Sequence, residues 1–307
     1  TAVALYAAGV LGRERPDAVA GMRPVMDALT ADVAAGSAEL PALRVFDPYR
    51  GHSWASGTSP FADGNNQESS SEAVAAWNGL ALWAEASGQQ DLTGEATWLL
   101  SSEADAARAL WLEPTDLPAG YAHTIVSISW SAKRDYATWF SAEPSAILGI
   151  QTLPLGPVSL EYLAGDPARV TQNVTDAGEA AFTGALGDYV QGYSALGSSE
   201  AADAAAEAFA TRSTFDDGWS KALALAWVAA VQARNPALLV HSGLIPVQLQ
   251  SPDAYGTPTP RSIAETVQKL YLGVDVVLSA DEARKILEDA GAPISGPMPE
   301  PSTGGGI

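Results

Sequence analysis

Apolar residues recur at helical intervals over most of the chain. Between 17 and 35 (DAVAGMRPVMDALTADVAA), Val19, Met22, Val25, Met26, Leu29 and Val33 fall on one stripe, which predicts an amphipathic helix. Segments 68–87, 91–111, 176–195, 199–211 and 219–234 carry the same period, separated by Ser87-Gly88, Glu113-Pro114, Gly197 and Asn235-Pro236. Period-two alternation is confined to short runs, and 122–130 (AHTIVSISW) is the best strand candidate, an extended loop being equally compatible. Helices joined by variable loops, without βαβ spacing, predict an all-α domain. A bundle, a solenoid and a double ring of helices all fit the length; no fixed-period repeat selects the solenoid.

The pattern changes after Ser251. PDAYGTPTPRS reads as a proline-rich linker, 263–272 and 280–290 as two short helical patterns, and PISGPMPEPSTGGGI as a tail. The expected division is therefore a helical domain over 1–250 and a linker, short helical segment and tail over 251–307. At the other end, TAVALYAAGVLGRERP reads as a helix entered partway along, not as a signal peptide, so the expectation is a chain truncated at its N-terminus.

Composition narrows the function. Sixteen basic against thirty-six acidic residues give a formal charge of −20, which argues against nucleic acid and anionic membrane surfaces as partners. It suits a neutral polymer, although solubility alone explains an acidic surface equally well. No apolar run reaches the roughly 18–20 residues of a membrane span. The absence of cysteine excludes disulfides, thiolate metal sites and a Cys nucleophile. Zinc-type spacing, a DxDxDG calcium loop, GxSxG and P-loop strings are missing too, so no metal and no cofactor are expected. Nine Trp and nine Tyr fit a carbohydrate-active protein, since aromatic rings stack on the C–H faces of sugars, though most belong in a core.

The chemistry concentrates in 46–83, FDPYRGHSWASGTSPFADGNNQESSSEAVAAWNGLALW. Its first half is loop-like in composition. The second turns helical at about Glu68, with Asp63, Asn65 or Asn66 available as N-cap. Glu68 and Glu72 are four apart, which places both carboxylates on one helical face. Such a pair is commonly just a solvated face. Here a His, two Trp, several Asn and a glycine-rich loop surround it, and one Glu at a helix N-terminus can stay ionised as a base while the other holds water or tunes it. Ser69, Ser70 and Ser71 between them are poor helix-interior residues. Trp54 is the best candidate sugar platform; Trp77, Trp83 and Trp98 sit at helical positions and read as core. His52 either binds a sugar hydroxyl or orients the Glu pair, unless it is simply structural. His123 and His241 read as structural, and Lys133 and Asp135 as subsite residues or an ion pair.

GHSWASG followed by DGNNQESSSEAVAAW closely resembles the signature of glycoside hydrolase family 81, the endo-β-1,3-glucanases. KRDYATWF (133–140), GIQTLPLGPVSLEYL (149–163) and DDGWSKALALAWV (216–228) continue the resemblance in order, over roughly 1–245. It implies an (α/α)6 toroid-like helical barrel, incomplete here at its N-terminus and lacking the upstream β-sandwich. It also implies a secreted protein that hydrolyses internal bonds of β-1,3-glucan with inversion. Carried over, Glu68 is the base that activates water and Glu72 the second essential glutamate, with His52, Trp54, Asp63, Asn66 and Lys133 as substrate-binding candidates. The family's acid, an aspartate in a His- and Tyr-rich block, would precede Thr1. Asp47 and Asp63 are the fallback acids within the chain. A non-catalytic β-glucan-binding domain or inactive fragment, and a plain helical scaffold, are the competing readings.

Overall fold

A computed structural model describes residues 2–55, 62–131 and 133–234. The expected linker, helical segment and tail over 251–307, the boundary near Ser251 and His241 lie outside the described residues. Apart from 13–15, the described residues belong to one compact unit.

The order begins α1 (Ala2–Glu14), α2 (Val19–Thr30), β1 (Phe46–Asp47), β2 (His52–Ser53), β3 (Asn66–Gln67), α3 (Ser70–Ala86) and α4 (Gln90–Ala106). It continues with β4 (Ile128–Trp130), β5 (Lys133–Asp135), α5 (Pro144–Gly149), α6 (Pro157–Leu163), α7 (Pro167–Ala177), α8 (Gly187–Ser194), α9 (Ser199–Thr211) and α10 (Lys221–Arg234). Consecutive helices pack on one another, α3 on α4, α8 on α9 and α9 on α10, so the domain is helical as expected. Strands are minor additions: β1 and β2 pair antiparallel through Phe46–Ser53 and Asp47–His52, while β3, β4 and β5 form an antiparallel ladder in that order. Within the 122–130 run, only Ile128–Trp130 becomes strand.

Two apolar clusters form the interior. Leu5, Met26, Phe46, Trp77, Trp83 and Leu99 join α1 to α4 in one; Ile147, Tyr162, Tyr189, Phe209 and Trp227 join α5 to α10 in the other. Trp77 and Trp83 are core as expected, but Trp98 is half-exposed at the edge of Phe46. Val25 also leaves the stripe assigned to it and faces solvent.

Three segments depart from the periodicity. The 17–35 stripe divides into a 3-10 turn (Pro16–Ala18), α2 with Pro24 inside it, and a π-turn (Ala31–Ala35) closed by Gly36 at φ 72°. The expected helix over 176–195 is broken instead: α7 stops before Gly178 at φ 75°, a 3-10 turn follows, and α8 starts after Leu186 at φ 61°. Glycines at 178, 184 and 187 supply the breaks, the first by adopting a left-handed conformation that other residues resist. At Gly187 a Cβ would lie 2.7 Å from the Phe182 backbone. The third departure, at the start of α3, concerns the site described below.

Helices α1 and α3 touch backbone to backbone at two reciprocal glycines. A Cβ on Gly9 would sit 2.6 Å from Leu82 Cβ and 2.7 Å from the backbone beside it; one on Gly79 would sit 2.7 Å from Tyr6 N. Gly9→Ala is therefore expected to lower stability by about 1–3 kcal/mol through overpacking, against the ~1 kcal/mol that alanine normally adds in a helix. Gly94→Ala, where nothing lies within 4 Å, should stabilise slightly. Urea unfolding of both variants checks this, and equal stabilisation by the two would contradict the close crossing.

Candidate active site

Helix α3 begins at Ser70, so Glu68 precedes the helix rather than lying on its face, and Ser69 takes the N-cap position instead of Asp63, Asn65 or Asn66. The reason lies in the serines. Ser69 Oγ donates to the Ile150 carbonyl at 3.2 Å, and Ser71 Oγ lies against the carbonyls of Ile150 and Leu153. Ser70 Oγ donates to Gln151 Oε1 at 2.7 Å. The fully buried Gln151 amide in turn donates to the carbonyls of Glu68 and, at 2.8 Å, Ser127. Three residues unfavourable to a helix interior thus bolt its start to the 149–154 turn, and backbone groups that a longer helix would satisfy find partners there.

A cleft of about 360 Å³ opens over this junction, lined by Ser53, Trp54, Gln67, Glu68, Glu72 and Trp77 among others. Glu68 is half-buried, and its Oε2 accepts the Trp139 backbone N–H at 2.9 Å. Burial raises its pKa, the Trp139 bond opposes the rise, and the charge of Glu72 adds to it. Glu72 stands exposed in the first turn of α3, where the helix dipole favours a negative charge. A carboxylate oriented by one backbone donor and raised by burial can take a proton from water.

Trp54 is partly exposed on the cleft wall, its indole N–H donating to Asp47 Oδ2 at 3.2 Å. His52, for which a sugar hydroxyl, the Glu pair and a structural place were all open, is 1% exposed, which fits the structural place. Its ring sits edge-on between Trp54 and Trp111, with Nδ1 2.9 Å from the Ser53 carbonyl, and burial lowers its pKa. It props Trp54 from behind. Beneath both lies Glu103, which the sequence reading passed over. Its carboxylate is fully buried and accepts the Ser53 N–H (2.8 Å), the Ser53 hydroxyl (2.7 Å) and the Trp77 indole N–H (3.0 Å). Burial pushes its pKa up, against those same bonds. The signal was present: Glu103 keeps the buried phase of α4 set by Ala96, Leu99 and Ala106.

The other candidates sit around the rim. Asn66 is buried in β3 and its Oδ1 lies 3.4 Å from the Trp139 indole nitrogen. Asp63 and Lys133 form an exposed ion pair at 3.1 Å, so Lys133 pairs with Asp63 and not with Asp135. His123 stacks on Tyr136 at 3.5 Å and contacts Asp176 at 3.2 Å, an acidic partner fifty-three residues away in sequence. The structure brings Trp54, Glu68 and Glu72 to one cleft and leaves His52 behind it.

The model of the glycosyl hydrolase family 81 C-terminal domain matches residues 3–228. The chain belongs to glycoside hydrolase family 81. It is 42% identical over 135 residues to a glucan endo-1,3-β-D-glucosidase of Acetivibrio thermocellus, covering 43% of this chain and 17% of that protein. A primary septum glucan endo-1,3-β-D-glucosidase of Schizosaccharomyces pombe is 30% identical over 166 residues, covering 50% and 16%. The solved family 81 glycoside hydrolase of Clostridium thermocellum (CtLam81A, as a point mutant) superposes with a TM-score of 0.67 at 32% identity, covering 73% of this chain and 32% of that one. The fold is thus the helical barrel of that family, and the matched segment spans less than a fifth of the two curated relatives.

The last family 81 block, DDGW, closes on a second acidic pair. Asp188 is fully buried; its Oδ2 accepts the Asp216 N–H at 2.8 Å and its Oδ1 the Tyr189 N–H at 2.8 Å. Tyr189 stacks on Trp219 at 4.8 Å and donates its hydroxyl to the Asp217 carbonyl. Burial and the adjoining Asp188 side chain push Asp216 up to about 6, with Arg212 opposing. Folded Asp216 therefore keeps a proton that an ordinary aspartic acid (3.8) gives up. This contribution to stability is complete at low pH and lost as pH rises through about 6. Asp216→Asn should flatten the fall in melting temperature across that window relative to the parent protein. An unchanged slope would mean that Asp216 does not hold its proton above the ordinary aspartate range.

Proposed function

We propose that this chain forms the water-activating side of an endo-β-1,3-glucanase active site that cleaves with inversion, acting on polymer outside the cell. Glu68 is the base and Glu72 the group that holds or tunes its water. The observation that carries this is the position of Glu68: a half-buried carboxylate with raised pKa, aimed by the Trp139 N–H into a cleft walled by Trp54 and Trp77. Trp54 stacks a glucosyl ring, Asn66 acts by holding Trp139, and the Asp63–Lys133 pair meets hydroxyls at the rim. The names of the curated relatives supply the substrate, internal β-1,3 bonds of a glucan.

Inversion needs a second carboxyl group roughly 6.5–9.5 Å away, across the scissile bond, to protonate the leaving oxygen. Glu68 and Glu72 both sit at the N-terminal end of α3 and are the carboxylates in the described lining of the cleft. We place the donor outside the described residues, in sequence preceding this domain. The same one-sided lining favours a second reading, a domain that binds β-glucan without cleaving it.

Turnover of laminarin separates the two. In a protein that also carries that donor, Glu68→Gln should cut kcat about a thousandfold with KM little changed, within the ~10²–10⁴-fold of general base catalysis; residues 1–307 alone should turn laminarin over slowly or not at all. NMR at early times should show the α-anomer released first. Retained activity in Glu68→Gln would remove the base assignment, and a β-anomer would remove inversion. Laminarin binding without turnover in the protein that carries the donor would favour the binding domain.

A further inference from the structure

A second cleft, of about 440 Å³, is lined by Tyr136, Thr138, Trp139, Phe140 and Ser141 among others. Trp139 and Phe140 are 56% and 55% exposed, neighbours in sequence with large apolar rings open to water. Their loop is fastened: the Ser141 N–H donates to Thr138 Oγ1 at 3.0 Å, and the Thr138 hydroxyl donates back to the Ser141 carbonyl. Trp130 buttresses the Trp139 indole edge-on, with centroids 5.1 Å apart, and Asn66 Oδ1 lies 3.4 Å from its nitrogen. An exposed indole held in place from the side adds little to the core while leaving an apolar surface ready to stack. The backbone N–H of the same residue donates to Glu68 at 2.9 Å, which ties this loop directly to a carboxylate that lines the first cleft.

We propose that Trp139 and Phe140 form a further sugar-binding subsite, taking a glucosyl unit of the same β-1,3-glucan chain beyond the one that meets Glu68. A glucosyl ring has apolar C–H faces and a girdle of hydroxyls, and this cleft offers aromatic faces beside the Thr138 and Ser141 hydroxyls. A preorganised platform loses little side-chain freedom on binding, which favours affinity. Because Trp139 also holds Glu68, a sugar stacked here keeps the 138–141 loop, and with it the carboxylate, in place. The inference rests on the glucan reading given above.

Isothermal titration with laminarihexaose tests it, comparing the parent protein with Trp139→Ala, Trp139→Tyr, Phe140→Ser and Trp54→Ala. Trp139→Ala should weaken binding about tenfold or more, a change equivalent to about 1.4 kcal/mol. Trp139→Tyr should stay within about threefold of the parent, since stacking survives. Phe140→Ser, which alters an exposed ring, guards against misfolding of the Trp139 variant and should weaken binding about threefold. Unchanged affinity in Trp139→Ala and Phe140→Ser, with a loss in Trp54→Ala, would overturn this subsite and leave the Glu68 cleft standing. No binding by the parent protein would overturn both readings.

Discussion

Glu103 carries a carboxylate into the interior beside the cleft, and the loop above it is built around that group. Burying a carboxyl group is costly unless its oxygens are hydrogen-bonded. Glu103 accepts from the Ser53 N–H, the Ser53 hydroxyl and the Trp77 indole, and burial still raises its pKa against those bonds. Loss of any one donor would leave a buried polar group less satisfied. That requirement couples α4, which carries Glu103, to β2 through Ser53 and to α3 through Trp77. Trp54 follows Ser53 directly, and its cleft-facing position is inherited from this anchor.

The second fixed point is the start of α3. Buried polar groups again do the positioning: the serine hydroxyls and Gln151 tie the first turn to the 149–154 turn, and Glu68 is left just outside the helix with its carboxylate free to meet Trp139. Had the helix started at Glu68, the side chain would follow the helical spiral and share a face with Glu72. Leaving the helix instead lets β3 and the 138–141 loop set its direction. Both anchors are polar networks within an apolar shell, an arrangement that is rigid when complete and costly when any member is lost.

Much of this was legible in the sequence, and the limits have physical causes. Helical periodicity located the long segments because burial of one face is a local pattern, and the order of the family 81 motifs pointed to Trp54, Glu68 and Glu72. Periodicity failed at 176–195, where apolar spacing continues across glycines that break the backbone, and at Val25 and Trp98, whose exposure depends on neighbours distant in sequence. His52 resembled a ligand-facing histidine because its loop is polar; its burial comes from Trp111, fifty-nine residues later. Glu103, Gln151 and Asp188 were missed for the same reason: each is an ordinary polar residue until its partners arrive from 50, 83 or 28 positions away. A glutamate in the buried phase of a helix was the one local clue.

The most direct test of this account is site-resolved hydrogen exchange at the Ser53 amide and the Trp77 indole, in the parent protein and in Glu103→Gln. The account predicts that both groups are protected in the parent. In the variant they should exchange at least about a hundredfold faster, while amides of α9 keep their parental rates and laminarin binding weakens. Equal protection of Ser53 and Trp77 in the two proteins, with laminarin binding intact, would contradict the claim that the buried carboxylate holds the site together.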